Sequence, residues 1–330
     1  MNAKAAECIV FKPAALLPDA WGSFPAHGPV RCFNPGLLRD GNGWILAYRV
    51  VGPDGLRRIA LCRLDAAFRI VAGSALPLTD RVRFRRGTEM PEVATKWFAD
   101  PRLYRFGGQV FVYWNSGWHE PRNHQFLQEL DATTLVPRGH PRELLLRGER
   151  QKLEKNWTLF AGAGNRLHAL YSITPHRVLE LSVAGDGDIV CEEIARCEWT
   201  PAEYPACHGG LRGGAPPVES EGKLWVFGHS VHDGADGYRY AAVAYACEAT
   251  RPFAPALQPV QPLALGNPFG TQRAHGRLNP AVDEVIYPCG AARDGARWVV
   301  SHGINDEHCA ISLVDHTVVL ATVRPFATGR

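Results

Sequence analysis

The side chains that could do chemistry in this 330-residue chain sit in short polar motifs, most of them near Pro or Gly or closing an apolar run. In chain order they are Asn34 before Pro35, Arg49, Asp100 and Arg102 flanking Pro101, the triplet Glu154-Lys155-Asn156, Arg212, His229, His302 and Asp306. Guanidinium and carboxylate groups suit the vicinal hydroxyls of a sugar, which accept and donate in pairs. Lys155, Arg212 and His229 together suit an oxyanion. A carboxyl group buried in a channel keeps its proton near neutral pH, as an acid beside an oxocarbenium-like transition state must. These residues are far apart in the chain, so any shared chemistry depends on elements that gather them.

Those elements are strands. Helical periodicity is almost absent, and a unit of polar motif, turn and apolar strand recurs five times. The apolar strands are Trp44 to Arg49, Val110 to Trp114, Leu167 to Ser172, Leu224 to His229 and Trp298 to His302. The interval from motif to strand end is nearly constant: positions 34 to 48, 100 to 113, 156 to 171, 214 to 228 and 288 to 302. Asp40-Gly41-Asn42-Gly43, Gly107-Gly108, Gly162 to Asn165, Glu221-Gly222 and Asp294-Gly295 supply the positive-φ residues that tight hairpins need. The pattern predicts an all-β fold, a five-bladed β-propeller with an axial pocket. One domain should span residues 1–330, with blades near 30–95, 96–150, 151–205, 206–270 and 271–325. A two-domain β-sandwich fits less well, having no reason for fivefold recurrence. The innermost strand of each blade lines the channel, which turns five distant motifs into one site.

Composition agrees. With 33 Gly and 25 Pro beside 46% hydrophobic residues, the chain has many turns around a real core, which excludes both disorder and a helical bundle. A formal net charge of +3 is too balanced for a dedicated nucleic-acid binder. The basic run Arg81 to Arg86 reads as the solvated face of a strand or loop. Nine scattered cysteines without a Cys-x-x-Cys pair signal neither a disulfide framework nor a thiolate metal site. His119-Glu120 with His124, and His208, His229 and His232, lack metal-ligand spacing, so neither metal nor cofactor is expected. The N-terminus is broken by Lys4, Glu7 and Lys12, and no apolar run is long enough for a membrane span. The expectation is a cytoplasmic protein without membrane insertion.

The motifs Phe33-Asn34-Pro35-Gly36 with Tyr48-Arg49, Ala99-Asp100-Pro101-Arg102, Glu154 to Phe160, Leu211 to Pro216 with Gly228-His229, and His302 to Asp306 resemble glycoside hydrolase family 130. They also resemble the related β-mannosyltransferases on the same propeller. The likeness touches all five repeats over roughly residues 30–320. It implies that Asp100 is the general acid, protonating the glycosidic oxygen, and that Asn34, Arg49 and Asp306 hold the sugar of the non-reducing subsite. Arg102, Asn156 and His302 are further expected substrate contacts. Lys155, His229 and Arg212 are the expected phosphate or leaving-group contacts. Lys155 stands where the phosphorolytic members place Arg, no lysine follows until Lys223, and Tyr171 falls where those members commonly carry His.

The implied ligand is an oligosaccharide or a sugar phosphate, and the leading expectation is phosphorylase-like or transferase chemistry on a β-mannoside. An inverting hydrolase is the alternative, and needs a second carboxylate as base from among Glu154, Glu89, Glu92 and Glu203. A non-catalytic sugar-binding propeller is the third reading.

Overall fold

Runs such as Trp44-Ile45-Leu46-Ala47-Tyr48 are apolar at every position, and the computed structural model shows why: both faces of these strands are covered. The structure describes residues 6–22, 28–85, 95–116, 123–151, 154–183, 185, 187–234, 237–270, 277–280 and 282–326. The N-terminal strand is β1 (Glu7–Phe11). The first meander contains β2 (Arg31–Asp40), β3 (Gly43–Val51), β4 (Arg57–Leu64) and β5 (Leu76–Pro77). The second contains β6 (Ala99–Phe106), β7 (Gln109–Ser116), β8 (His124–Leu130) and β9 (Arg142–Arg147). β10 (Thr158–Ala161), β11 (Leu167–Ser172), β12 (His176–Val183) and β13 (Ile189–Cys197) form the third. In the fourth, β14 (Gly210–Arg212) and β15 (Val218–Ser220) share the inner position, followed by β16 (Lys223–Gly234), β17 (Gly237–Glu248) and β18 (Pro255–Pro259). The fifth has β19 (Val282–Asp294), β20 (Arg297–Ile304) and β21 (His308–Asp315), and a last strand, β22 (Val323–Pro325), pairs with β18.

Within every meander the pairing is antiparallel. The fifth meander takes its outer strand from the other end of the chain, because β1 pairs with β21 in the register Glu7 to Leu313 and Phe11 to Cys309. Period-two alternation then divides each strand between two neighbours. Leu46, Tyr48 and Val50 pack with Val299, Cys309 and Ile311 of the fifth meander, whereas Ile45 and Ala47 pack with Leu103, Val112 and Trp114 of the second. Tyr113 and Leu127 meet Trp157 and Leu159, and Leu170 and Val178 meet Val226 and Tyr245. Trp225 and Phe227 meet Trp298 and Val300. Five apolar interfaces thus link the meanders first to second and onward back to first, and the fold is a β-propeller.

At the centre of this ring the inner strands run almost in contact. A Cβ on Gly36 would stand 2.6 Å from the Pro101 carbonyl oxygen, and one on Gly214 would stand 2.9 Å from that of Pro288. Cβ atoms on Gly213 and Gly290 would collide with the backbones of Asn156 and Leu37. Each of these clashes is with backbone of an adjacent blade, which has no rotamer to yield. Gly36→Ala should therefore lower the urea-unfolding free energy by about 1–3 kcal/mol. Gly210→Ala, where a Cβ meets nothing within 4 Å, should change it by less than about 0.5 kcal/mol; equal effects would show that the inner strands can separate.

Candidate active site

Local backbone geometry delivers the polar residues to the ring centre. The β2–β3 ladder shifts register between Phe33 and Gly36, and the β6–β7 ladder between Ala99 and Arg102. The extra residues are Asn34-Pro35 and Asp100-Pro101, and the prolines have no N–H to give a ladder. Asn34 and Asp100 take φ of 53° and 51°, Asn156 66° and Asp306 56°. This left-handed conformation is one that Asn and Asp tolerate better than other side-chain-bearing residues, and it turns a side chain out of the strand's alternation. Its cost, of order 1–3 kcal/mol per residue, is typical of sites where geometry matters more than stability.

Two blades meet at Asp100. The Asn34 amide Nδ2 donates to Asp100 Oδ1 at 2.8 Å, and Arg49 Nη1 lies 3.6 Å from the same oxygen. The Arg49 guanidinium rests over the Phe33 ring at 5.0 Å. Lys155 from the third blade feels the charges of Asp100, Arg212, Asp306 and Arg49, so all these groups share one neighbourhood. Asp306, in the β20–β21 turn, accepts a hydrogen bond from the Asn279 side chain. Asn34, Arg49, Asp100, Lys155, Arg212, His229 and Asp306 thus come together from all five blades.

Other expected site residues turn out to hold the ring itself. Arg102 is fully buried. Its Nη1 donates to the Asp100 carbonyl at 2.7 Å, its Nη2 to the Tyr287 hydroxyl at 2.9 Å, and its Nε to the Gly214 carbonyl. It ties three blades and has no surface left for the substrate contact expected of it. Asn156 accepts from the Tyr287 hydroxyl through Oδ1 at 2.5 Å. His302, expected at the sugar, faces away: Nε2 lies 2.9 Å from Ser312 Oγ, inside the fifth blade. His229 is buried, stacked on Tyr240 and edge-on to Tyr287 at 4.6 Å between centroids.

Electrostatics separates the two carboxylates. Burial alone would raise Asp100, but Arg49, Arg102, the Asn34 amide and Lys155 outweigh it and hold the carboxyl below its usual range. The expectation that burial keeps Asp100 protonated is therefore not met, because its neighbours favour the carboxylate. Burial does raise Asp306, reinforced by Asp100 and only partly offset by Arg49. Burial lowers Lys155, with Arg212 and Arg49 adding to the effect against Asp100 and Asp306. Burial, Lys155 and Arg212 push His229 far down, so this ring is a neutral hydrogen-bonding group and adds no positive charge.

Of the candidate bases, Glu154 is buried, and its Oε1 accepts from the Tyr171 hydroxyl at 2.9 Å and the Gln151 N–H at 3.1 Å. Glu203 is exposed and 3.4 Å from Gln258 of the outer strand β18, at the rim of its blade. Glu89 and Glu92 lie outside the described residues, as do His119 and Glu120. Residues not singled out from sequence are Tyr287, Tyr240, Arg57 and Gly303, where a Cβ would collide with the Asn34 side chain. Of these, Tyr287 directly precedes Pro288, where the fifth interval begins, and Gly303 lies inside the motif His302 to Asp306; Tyr240 and Arg57 carried no signal.

No family model and no curated protein matches the chain. Solved structures match its fold over most of its length. A β-1,2-mannobiose phosphorylase from Listeria innocua, in complex with β-1,2-mannobiose, superposes with a TM-score of 0.61 at 16% identity, covering 97% of this chain and 99% of that one. A structure described with the GH130 family of mannoside phosphorylases, as containing hydrolases that target β-1,2 mannosidic linkages in Candida mannan, gives 0.59 at 11% identity, covering 91% and 87%. A GDP-Man-dependent mannosyltransferase from Leishmania mexicana gives 0.54 at 10% identity, covering 90% and 92%. At such identities the likeness establishes the fold, which is the one that the sequence motifs lead one to expect. Among the described residues no helix is long and apolar enough to cross a membrane.

The buried histidines make stability depend on pH. Burial lowers His302 and His176 to about 4, the backbone hydrogen bonds at Gly303 and Phe253 only partly opposing it. In the unfolded chain both rings protonate near 6.5. Stability is thus complete above about pH 6.5 and is lost as the pH falls toward 4, because the unfolded state binds more protons there. Urea midpoints should fall steadily from pH 7 to pH 4.5, and His302→Asn should flatten that slope; an unchanged slope would mean that His302 is protonated in the fold.

Proposed function

We propose that this chain is a carbohydrate-active enzyme that transfers a glycosyl unit of a β-mannoside to or from phosphate or a sugar acceptor, at the cluster around Asp100. The observation that carries this reading is the Asp100 carboxylate, gripped by Asn34 and Arg49 of the adjacent blade with Lys155 and Arg212 beside it. The same fold occurs in proteins named as a mannobiose phosphorylase and a mannosyltransferase. Asn34, Arg49 and Asp306 hold hydroxyls of the sugar whose bond is made or broken, and Asp100 is the proton donor to the glycosidic oxygen.

The lowered Asp100 fits this role once the second substrate is counted. A phosphate or sugar phosphate against Lys155 and Arg212 brings negative charge close to Asp100 and offsets Lys155, one of the cations that depress it. That raises its carboxyl and lets it carry a proton when transfer begins. His229 contributes a neutral hydrogen bond. Hydrolysis by inversion instead requires a second carboxylate about 6.5–9.5 Å from the acid, holding a water. Of the two candidate bases among the described residues, Glu154 has its Oε1 engaged by Tyr171 and Gln151, and Glu203 is exposed beside Gln258 of the outer strand β18, so neither supports hydrolysis over transfer.

Three incubations test the reading: β-1,2-mannobiose with phosphate, mannose 1-phosphate with mannose, and mannobiose in buffer alone. The expected result is phosphate-dependent cleavage or chain growth, with Asp100→Asn slowing it at least about 100-fold. Breakdown in buffer alone, or a wild-type rate for Asp100→Asn, would overturn the assignment.

A further inference from the structure

Next to this cluster is a guanidinium that the reading above leaves without a task. Arg57 opens β4, and its guanidinium stacks on the Trp97 ring at 4.1 Å. Backbone fixes the pair, through the parallel bridge between Arg57 and Trp97 and the Phe98 N–H donating to the Arg57 carbonyl at 3.3 Å. The Arg49 guanidinium lies 5.8 Å from the centre of the same indole, so two cations share one ring. The charges that act on Arg57 most strongly are Arg49, Asp306 and Asp100, the groups on the sugar side of the site.

Two neighbouring guanidinium groups in a partly buried setting repel one another. Burial and Arg49 together lower Arg57 to about 10. Asp100 is already shared by Arg49 and Asn34, and burial drives Asp306 toward its neutral form. The Nε atoms of both Arg49 and Arg57 are buried, with no hydrogen-bond acceptor among the described residues. Buried N–H donors on a cation left in this state cost free energy, which an anion presenting two oxygens to a planar guanidinium removes.

We infer that Arg57, held on Trp97 and working with Arg49, is a subsite for a negatively charged substituent, a carboxylate or a phosphate ester, on the sugar unit bound beside Asp100 and Asp306. This rests on the proposed sugar site and narrows its substrate to an anionic glycoside. The Lys155 and Arg212 side remains the place of the oxyanion that leaves or attacks.

Calorimetric titration of the full chain with mannose, mannose 6-phosphate and mannuronate tests it, and the two charged sugars distinguish the ester from the carboxylate. One of them should bind roughly 10- to 100-fold more tightly than mannose, the range for a hydrogen bond to a charged group. Arg57→Gln should bring that ratio to about one, and Arg57→Lys should restore part of it, with thermal unfolding checking that each variant folds. Equal affinities in the wild type overturn the inference and leave the sugar site standing. So does a preference that survives Arg57→Gln and vanishes in Arg212→Gln, which places the anion on the other side. Failure of all three sugars to bind overturns the sugar site and the inference with it.

Discussion

Everything at the centre of this molecule depends on the inner strands of adjacent blades approaching within backbone contact. Gly36 against Pro101, Gly213 against Asn156, Gly214 against Pro288 and Gly290 against Leu37 mark four places where a methyl group would already collide. Such an approach leaves no room for a ladder of ordinary side chains. What does fit is a bulge, in which one residue leaves the ladder and points along or into the channel. The same constraint that seals the ring therefore creates a polar position in the inner strand, occupied in the first two blades by Asn34 and Asp100.

The ring is held by polar ties as well as by its five apolar interfaces. Arg102 bonds its own strand, the Gly214 carbonyl of the fourth blade and Tyr287 of the fifth, and Tyr287 passes the connection to Asn156 of the third. An arginine buried this completely is tolerated because each of its nitrogens has an acceptor. Its charge also contributes to the field that keeps Asp100 ionised. Structure and electrostatics are thus coupled: the network that fixes the position of Asp100 also sets its proton affinity.

Residue type alone did not separate groups that gather around Asp100 from those that serve the fold. Asn34, within β2, and Asn156, just ahead of β10, share a positive φ, of 53° and 66°. Yet one amide reaches the Asp100 carboxylate while the other turns to Tyr287. His229 and His302 both close apolar strands, and both are buried. His229 shares the field of Lys155 and Arg212, whereas His302 meets Ser312 inside its own blade. The difference is one of sheet face, and the phase of a strand relative to the channel is decided by pairing register, which shifts at each bulge. Arg57 was invisible for a related reason, since it stands at the start of the third strand of its meander, and its place beside Arg49 and Trp97 follows only from how β4 pairs.

Much about the protein was legible in its residues: strand units at a near-constant interval, positive-φ residues in the turns, and apolar runs too continuous for a strand with one wet face. These are local properties, so five repeats, an all-β fold and the gathering of Asn34, Arg49, Asp100, Lys155, Arg212 and Asp306 could be expected from them. The charge state of Asp100, the neutrality of His229, the engagement of Glu154 by Tyr171 and the roles of Arg102 and Tyr287 were decided only in three dimensions. Proton affinity and hydrogen-bond saturation depend on burial and on groups brought from other blades, and no interval along the chain encodes those distances.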